Sequence, residues 1–462
     1  MIAIEHPASC LSEREYIFHV LLHEFLGLQY TTRITETQDV VISSGGKSLM
    51  INDSFFPLAE ANWLQSESLP PQPLSLWDSN SVELNVNLVD AIVPVIYGTP
   101  VIKAEENICN IGIDIFGSAF FMLSRYEEAV KTDRDQCDRF PATTSLSFQE
   151  GFLDRPIVDE YVEILWATMQ QLWPGLKRKK REFTSVPTHD VDHPYLYPEI
   201  KGVLKGLRRI GGDILHRHSA KTAIKTAIGW SSYQYNCDKA LENDPFNTFK
   251  WIMEYSERAG VKSCFNFMTH CEDVLYGGNY DINDNIVVPL LKNIIERGHD
   301  IGFHPTKNSY TDEGDFAEQA GKFFLVVNKL KTHPNIFGGR QHYLRWEQKT
   351  TPYFWSKYGF QYDSSLGYAD HAGFRCGTCH SYFLWDLNKS ERLSVKEYPL
   401  ILMEGTLISK QYMSCSFDEA KGQIKKLRRA CKSVSGNFVF LWHNSELFQE
   451  NMRKLYYACL SD

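Results

Sequence analysis

The chain carries a short apolar run, Val261-Lys-Ser-Cys-Phe-Asn-Phe-Met268, then an amphipathic stretch from Ile286 to Arg297 and a second apolar run, Ile301-Gly-Phe-His304. A short apolar run is typical of a buried strand, whereas apolar residues at helical spacing predict a helix. Alternation of strand and helix favours parallel strands. The chain from Phe183 onward is therefore expected to be an α/β barrel or a doubly wound sheet.

Residues 1–175 are predicted to form a separate α/β domain, because a chain of 462 residues exceeds the usual size of a single core. The boundary is placed at the breaker Trp173-Pro-Gly175, which precedes the charge run Lys177–Arg181. We interpret the charge run as an exposed linker. The second domain is expected over residues 183–462.

The stretch from Ile115 to Val130 is predicted to be a core helix of the first domain, since its apolar residues have helical spacing. Asp114 stands in front of it as an N-cap. Arg125, Glu127 and Glu128 come near its end, where charged side chains are expected to be solvated.

Composition restricts the function. A net charge of −9 argues against a nucleic-acid binder, and no run approaches the roughly 20 apolar residues of a membrane span. The N-terminus lacks a signal-peptide pattern, so a cytoplasmic protein is expected. The 11 cysteines of the whole chain are predicted to be reduced. The sequence Cys376-Gly-Thr-Cys379-His380 matches a haem-attachment pattern but is interpreted as a turn, because nothing indicates export.

A basic helical insertion is predicted at about 198–235, where lysines and arginines alternate with apolar residues. Such a segment could make peripheral contact with a membrane near a lipid-linked substrate. We favour the other interpretation, a helical pair packed on the barrel.

Two carboxylates stand at the end of the predicted strand Val186–Asp192. Alternate side chains of a strand share a face, so Asp190 and Asp192 are expected to point the same way. Hydrolysis assisted by a metal needs one anionic ligand and one free base, and this pair can supply both.

Two histidines follow predicted strands in the same manner. His304 ends the run Ile301–His304 and is a candidate metal ligand. His443 ends the apolar run Asn437–His443 and is a candidate acid near neutral pH. His299 lies five residues before His304 and is interpreted as a packing or supporting residue.

At these residues the chain resembles the polysaccharide deacetylase superfamily, carbohydrate esterase family four. Thr188-His-Asp-Val-Asp192 is similar to the family's first motif in its spaced variant, which implies Asp190 as catalytic base and Asp192 as metal ligand. His304-Pro-Thr-Lys-Asn308 is similar to the second motif, with Asn308 where the family has a second histidine. Asn308 is the expected third ligand; His270 or His193 could replace it, or the site could be inactive.

The remaining motifs occur in the family's order. Gly338-Gly-Arg-Gln-His-Tyr-Leu-Arg-Trp346 is similar to the third motif, with Arg340 the preferred partner of the catalytic aspartate and Arg345 the second choice. Asp363 matches the aspartate that tunes the catalytic histidine, although the accompanying tryptophan is not obvious. Leu441-Trp-His443 matches the fifth motif. Aromatic residues expected to wall a sugar site are Tyr343, Trp346 and Tyr368.

The resemblance implies a distorted (β/α) barrel preceded by an N-terminal α/β domain. It implies a hydrolase that removes N-acetyl groups from an amino-sugar-containing glycan or precursor, with Zn²⁺, or Co²⁺ or Ni²⁺, as the ion. The N-terminal region resembles an uncharacterised bacterial domain that precedes deacetylases, through Phe120–Glu128 and Arg139-Phe-Pro-Ala142. Two other functions stay open: hydrolysis of a non-sugar amide or cyclic imide, and catalytically silent carbohydrate binding in surface-polysaccharide biosynthesis.

Overall fold

A computed structural model describes residues 2–200, 220–270, 280–330 and 337–461 of the chain. Much of the predicted insertion at 198–235, including Lys201 and Arg217, lies outside these residues. Within them, no helix is long and apolar enough to cross a membrane.

The described chain contains both β-strands and α-helices. The strands are β1 Ile2–His6, β2 Tyr30–Ile34, β3 Val40–Ser44, β4 Lys47–Ile51, β5 Ser75–Asp78, β6 Ile92–Val95, β7 Gly98–Ala104, β8 Ile108–Ile113, β9 Thr184–Val191, β10 Cys264–Phe267, β11 Asp300–Phe303, β12 Gly338–Gly339, β13 Tyr362–Asp363, β14 Tyr382–Asp386, β15 Glu391–Glu397, β16 Leu402–Met403 and β17 Asn437–Leu441. The α-helices are α1 Leu11–Phe18, α2 Phe55–Ala61, α3 Ile115–Leu123, α4 Tyr126–Val130, α5 Leu146–Gln149, α6 Ile157–Leu172, α7 Ala220–Tyr233, α8 Cys237–Glu242, α9 Phe249–Arg258, α10 Val287–Glu296, α11 Glu313–Lys329, α12 Thr351–Lys357, α13 Glu404–Ile408, α14 Phe417–Ser433 and α15 Glu450–Leu460.

The chain divides into two compact units. The first unit contains Met1–Ser185 and Tyr343–Phe440, and the second contains Val186–His342 and Leu441–Asp462. The predicted first domain, residues 1–175, thus lies within the first unit. The predicted second domain, residues 183–462, contributes segments to both.

The first unit contains a mixed six-stranded sheet in the order β2-β1-β3-β4-β8-β7. Strands β1 and β2 are parallel, as are β4 and β8, while the other neighbours are antiparallel. Helix α3 is buried over its whole length, and Asp114 caps it by accepting a hydrogen bond from the Gly117 N–H at 2.8 Å. The predicted N-cap is therefore confirmed.

The predicted helix Ile115–Val130 is interrupted in the structure. Helix α3 ends at Leu123 and α4 begins at Tyr126, because Arg125 between them has a left-handed backbone with φ of 54°. The charged residues at this break are buried rather than solvated, so that expectation is wrong. Arg125, Glu127 and Glu128 are each exposed by 3% or less.

A second basic residue explains why these charges can be buried. Arg375 donates to Glu128 through Nε at 2.9 Å and Nη2 at 2.6 Å, and Arg125 donates to the same carboxylate at 2.9 Å. Buried charges require such pairing. The two guanidinium groups hold the pKa of Glu128 at about 2, although burial alone would raise it.

The second unit is built around parallel strands. In register, Asp190 of β9 is paired with Asn266 of β10, and Asn266 is paired with Gly302 of β11. Strand β12 continues the parallel order beside β11, with Phe303 opposite Gly339. The predicted α/β class with parallel strands is confirmed. The strand pairings of residues 2–200, 220–270, 280–330 and 337–461 give linear orders with free edges, and they show no closed barrel.

Candidate metal centre

The carboxyl end of β9 presents two carboxylates on one side. Asp190 is the penultimate residue of the strand and Asp192 directly follows it. Asp190 Oδ2 lies 3.9 Å and Asp192 Oδ1 lies 3.2 Å from His304 Nε2, so both carboxylates reach the same imidazole. Strand periodicity is the reason that residues two apart share this side.

Asp190 is a buried carboxylate held by two donors. Its Oδ1 accepts from Arg340 Nη1 at 3.0 Å and from Asn266 Nδ2 at 2.8 Å. Burial raises the pKa of Asp190, but Arg340 and then His304 outweigh it and leave the pKa below its usual value. This carboxylate is therefore ionised at neutral pH and fixed in orientation.

His304 follows β11, and its ring orientation is set by a backbone carbonyl. Its Nδ1 lies 2.6 Å from the carbonyl oxygen of Arg340 and donates to it. The Nε2 atom is then left facing the two aspartates. A hydrogen bond of this kind on one ring nitrogen is the usual support for a histidine that binds metal through the other.

His342 contributes a second imidazole that the sequence analysis did not identify. Its Nε2 lies 3.7 Å from Asp192 Oδ1, and one ligand atom each from Asp192, His304 and His342 can be chosen so that all three lie within 4.8 Å of one another. His342 stands two residues after Arg340, inside the segment assigned to the arginine motif. The sequence signal that could have identified His342 is its position shortly after Gly338-Gly339, the residues of β12.

Asp192, His304 and His342 shift one another's pKa values. Burial raises the pKa of Asp192, but His342 and His304 bring it well below its ordinary value. Burial lowers the pKa of His304, yet Asp190 and Asp192 reverse the shift and raise it. For His342 burial prevails, and its pKa is lowered.

The residues present fit a divalent cation. Asp192 Oδ1 and His304 Nε2 are buried, and among the described residues neither atom has a hydrogen-bond partner of acceptable geometry. Two ligand atoms at zinc distances of about 2.0–2.2 Å lie roughly 3.5 Å apart in a tetrahedral site. The 3.2 and 3.7 Å separations from Asp192 agree with that geometry. Two imidazoles and one carboxylate are a common zinc ligand set.

His443 lies at the edge of the same group. Its Nε2 is 3.5 Å from Asp192 Oδ2, and 23% of its side chain is exposed. The neighbouring Trp442 N–H donates to the Thr188 carbonyl at 3.0 Å, which anchors this segment beside β9. The structure thus brings Asp190, Asp192, His304 and His443 together.

Other histidines considered from the sequence have different surroundings. His193 Nδ1 lies 2.8 Å from Glu199 Oε1, and His270 Nδ1 lies 3.3 Å from the Thr269 hydroxyl. His299 stands before the first residue of β11, where its Nδ1 accepts from the Ser263 N–H at 3.0 Å. Asn308 is exposed in the turn region after β11.

Several further candidates belong to the first unit. Asp363 Oδ2 accepts from the Trp346 ring N–H at 3.2 Å, and its Oδ1 accepts from the Ser365 N–H at 3.0 Å. Trp346 is therefore hydrogen-bonded to Asp363, a contact that the sequence analysis did not predict. Arg345 pairs with Asp138 at 3.5 Å.

Two of the three aromatic candidates are buried in the first unit. Trp346 and Tyr368 are 2% and 4% exposed. The Arg375 guanidinium lies 5.9 Å from the Trp346 ring centre and 5.2 Å from that of Tyr368. Rings enclosed in this way present no open face for a sugar. Tyr343 is half-buried, and it directly follows His342 in the chain.

Comparisons with known proteins extend this description. Residues 2–174 match a family model described as a family of unknown function (DUF7033). A crystal structure from Mycobacterium smegmatis, provisionally named a polysaccharide deacetylase, is similar at 15% identity with a TM-score of 0.38, covering 61% of this chain and 85% of that chain. Among curated proteins none matches. Similarity at this level leaves the function to be inferred from the site itself.

Proposed function

We propose that the chain is a metal-dependent hydrolase of amide bonds that removes N-acetyl groups from an amino-sugar-containing glycan or glycan precursor. The observation that carries the proposal is the group Asp192, His304 and His342, with the ionised Asp190 3.9 Å from His304. This arrangement combines a three-ligand set with a separate base. The acetamide substrate class comes from the resemblance of the five motifs.

Each side chain has a distinct task in this proposal. Asp192, His304 and His342 hold the ion, and His342 takes the third position assigned to Asn308 from the sequence. A divalent cation bound there would acidify a water molecule and polarise the amide carbonyl. Arg340 and Asn266 keep Asp190 ionised and fix the orientation of its carboxylate, so that it takes a proton from the attacking water.

The leaving amine needs a proton, and His443 is placed to give one. Its ring is partly exposed beside Asp192, so it lies at the margin where a substrate would enter. Protonating the nitrogen as the C–N bond breaks makes the amine a better leaving group. Tyr343 is half-buried, and it is the aromatic residue that we retain as a proposed sugar contact.

The decisive experiment is an acetate-release screen over N-acetylated saccharides with Zn²⁺, Co²⁺ or Ni²⁺ added. We expect Asp190→Asn to keep its metal and to lose about 10²–10⁴-fold in kcat, because general-base catalysis contributes that much. Metal content measured on the same samples separates the two effects.

A folded, metal-loaded protein that binds glycans but releases no acetate would point instead to silent carbohydrate binding. Release of product from a small cyclic imide but from no saccharide would transfer the proposal to that substrate class. Full activity of Asp190→Asn would remove Asp190 as the base.

A further inference from the structure

The first unit contains a second group of potential ligand atoms, formed by residues other than those of the centre described above. Asp159 of α6, Cys379 and His380 each offer one ligand atom, and these three atoms lie within 4.8 Å of one another. All three residues are buried, at 2%, 0% and 8% exposure. We propose that Asp159, Cys379 and His380 bind a zinc-type divalent cation that has a structural role.

The hydrogen bonds around Asp159 resemble the supporting shell of a metal ligand. Its Oδ1 accepts from the Thr378 hydroxyl at 2.6 Å, and its Oδ2 accepts from the Cys379 N–H at 2.9 Å. The same Oδ2 lies 3.3 Å from Cys379 Sγ. Zinc distances of about 2.0 Å to oxygen and 2.3 Å to sulfur place such a pair about 3.5 Å apart. The existing geometry is therefore close to that of two ligands on one ion.

The His380 ring is also oriented for binding. One ring nitrogen hydrogen-bonds the backbone of Val434, which leaves the other for an ion. Its ring packs edge-on against Phe25, with the centroids 5.3 Å apart. Both contacts fix the plane of the imidazole.

A second thiol and a glycine complete the surroundings. Cys431 is fully buried and close enough to Cys379 for the two thiols to interact. Gly436 lies against Cys379, and a Cβ at this position would overlap the Cys379 sulfur. The absence of a side chain at Gly436 keeps the sulfur site open. Cys431 is not one of the three residues whose ligand atoms lie within 4.8 Å of one another, so it stays outside the proposed ligand set.

Electrostatics explains what an ion would change. Burial raises the pKa of Cys379 well above its usual value, and burial raises that of Asp159 to about 6. A thiolate and a carboxylate buried together would be costly without compensation. Arg181 compensates part of this negative charge, and a divalent cation would supply the rest. The thiol proton would pass to solvent as the metal–sulfur bond forms.

The consequence is a link between distant parts of the sequence. Asp159 belongs to the region matched by the family of unknown function, whereas Cys379 and His380 lie more than 200 residues later. A metal bridge would hold α6 to the turn that precedes β14. It would stabilise the first unit in the way that structural zinc sites do.

The test uses the whole chain purified from cells grown with Co²⁺ and kept reduced. A cobalt–thiolate bond gives a near-ultraviolet charge-transfer band, which imidazole and carboxylate ligands do not give. We expect that band in the wild-type protein and its loss in Cys379→Ser. The matched control is Cys376→Ser, because Cys376 is equally buried but lies beside Tyr382 outside this group. The charge-transfer band of the Cys376→Ser variant should be unchanged.

This test is independent of the proposed catalytic centre. His342→Ala should remove cobalt from that centre and leave the sulfur band intact. A folded wild-type protein that takes up cobalt but shows no band would overturn the structural site without affecting the deacetylase proposal. A band that survives Cys379→Ser, or disappears in Cys376→Ser, would also overturn it. Should Cys379→Ser not fold, His380→Ala provides the second variant, with an expected shift of the visible cobalt spectrum.

Discussion

Asp192 stands between two imidazoles, 3.2 Å from His304 Nε2 and 3.7 Å from His342 Nε2. Removing one of three ligands should weaken metal binding severely, since even supporting residues are worth about 10–100-fold. We expect His342→Ala to raise the free Zn²⁺ concentration needed for half-maximal activity by on the order of 100-fold or more. The measurement is acetate release in a series of metal buffers.

The matched control for His342 is Asn308, which the sequence motif alone would have chosen. Asn308 is exposed, and Asn308→Ala should leave the Zn²⁺ dependence within about twofold. The opposite result, a large shift in Asn308→Ala and none in His342→Ala, would restore Asn308 as third ligand and contradict our assignment.

At the scale of elements, the register of three parallel strands positions the catalytic base. Asp190, Asn266 and Gly302 lie in one row across β9, β10 and β11. A Cβ on Gly302 would overlap Asn266 Oδ1, so Gly302→Ala should displace the amide that donates to Asp190. We expect kcat to fall by about tenfold, because losing the hydrogen bond costs roughly 1–2 kcal/mol.

The pH profile distinguishes this effect from general damage. The Asn266 hydrogen bond helps to lower the pKa of Asp190, so its loss should move the acidic limb of the activity profile to higher pH. Gly321→Ala is the matched control. Gly321 lies in α11 with no atoms near the position of an added Cβ, and activity should not change. An unmoved acidic limb in Gly302→Ala would contradict this role for the strand register.

At the scale of the whole molecule, resistance to acid should depend on the buried carboxylate of Glu128. Its pKa is about 2 in the folded protein and near 4.5 when unfolded. A carboxylate with a lowered folded-state pKa stabilises the protein above pH 4.5, and this contribution disappears as the pH falls towards 2. We expect Glu128→Gln to lower the free energy of unfolding by about 3 kcal/mol at pH 7.

The measurement is urea unfolding of wild type and variant at several pH values. The difference in unfolding free energy should shrink steadily below pH 4.5, because the wild-type carboxylate then becomes protonated. Glu106→Gln, at an exposed position, should have little effect at any pH. A difference that stays constant down to pH 3 would show that charge pairing with Arg375 and Arg125 is not its source.

Sequence periodicity predicted much of the architecture because it reports which side chains are buried. The apolar run around Phe265 became β10, the stretch from Ile286 became α10, and Asp114 capped its helix. The buried pairing of Glu128 could not be predicted, since its partner Arg375 is 247 residues away. A local pattern of charges is the same whether they face water or a distant arginine.

The residues of the candidate site also fall into those that the sequence predicted and those that it could not predict. The sequence by itself determined that Asp190, Asp192, His304 and His443 would end strands, because strand ends and alternating faces are local properties. Only the tertiary structure decided that His342 joins Asp192 and His304, and that Asp159 lies beside Cys379 and His380. Metal ligands are selected by distances between side chains. Folding sets those distances across segments that no local sequence pattern connects.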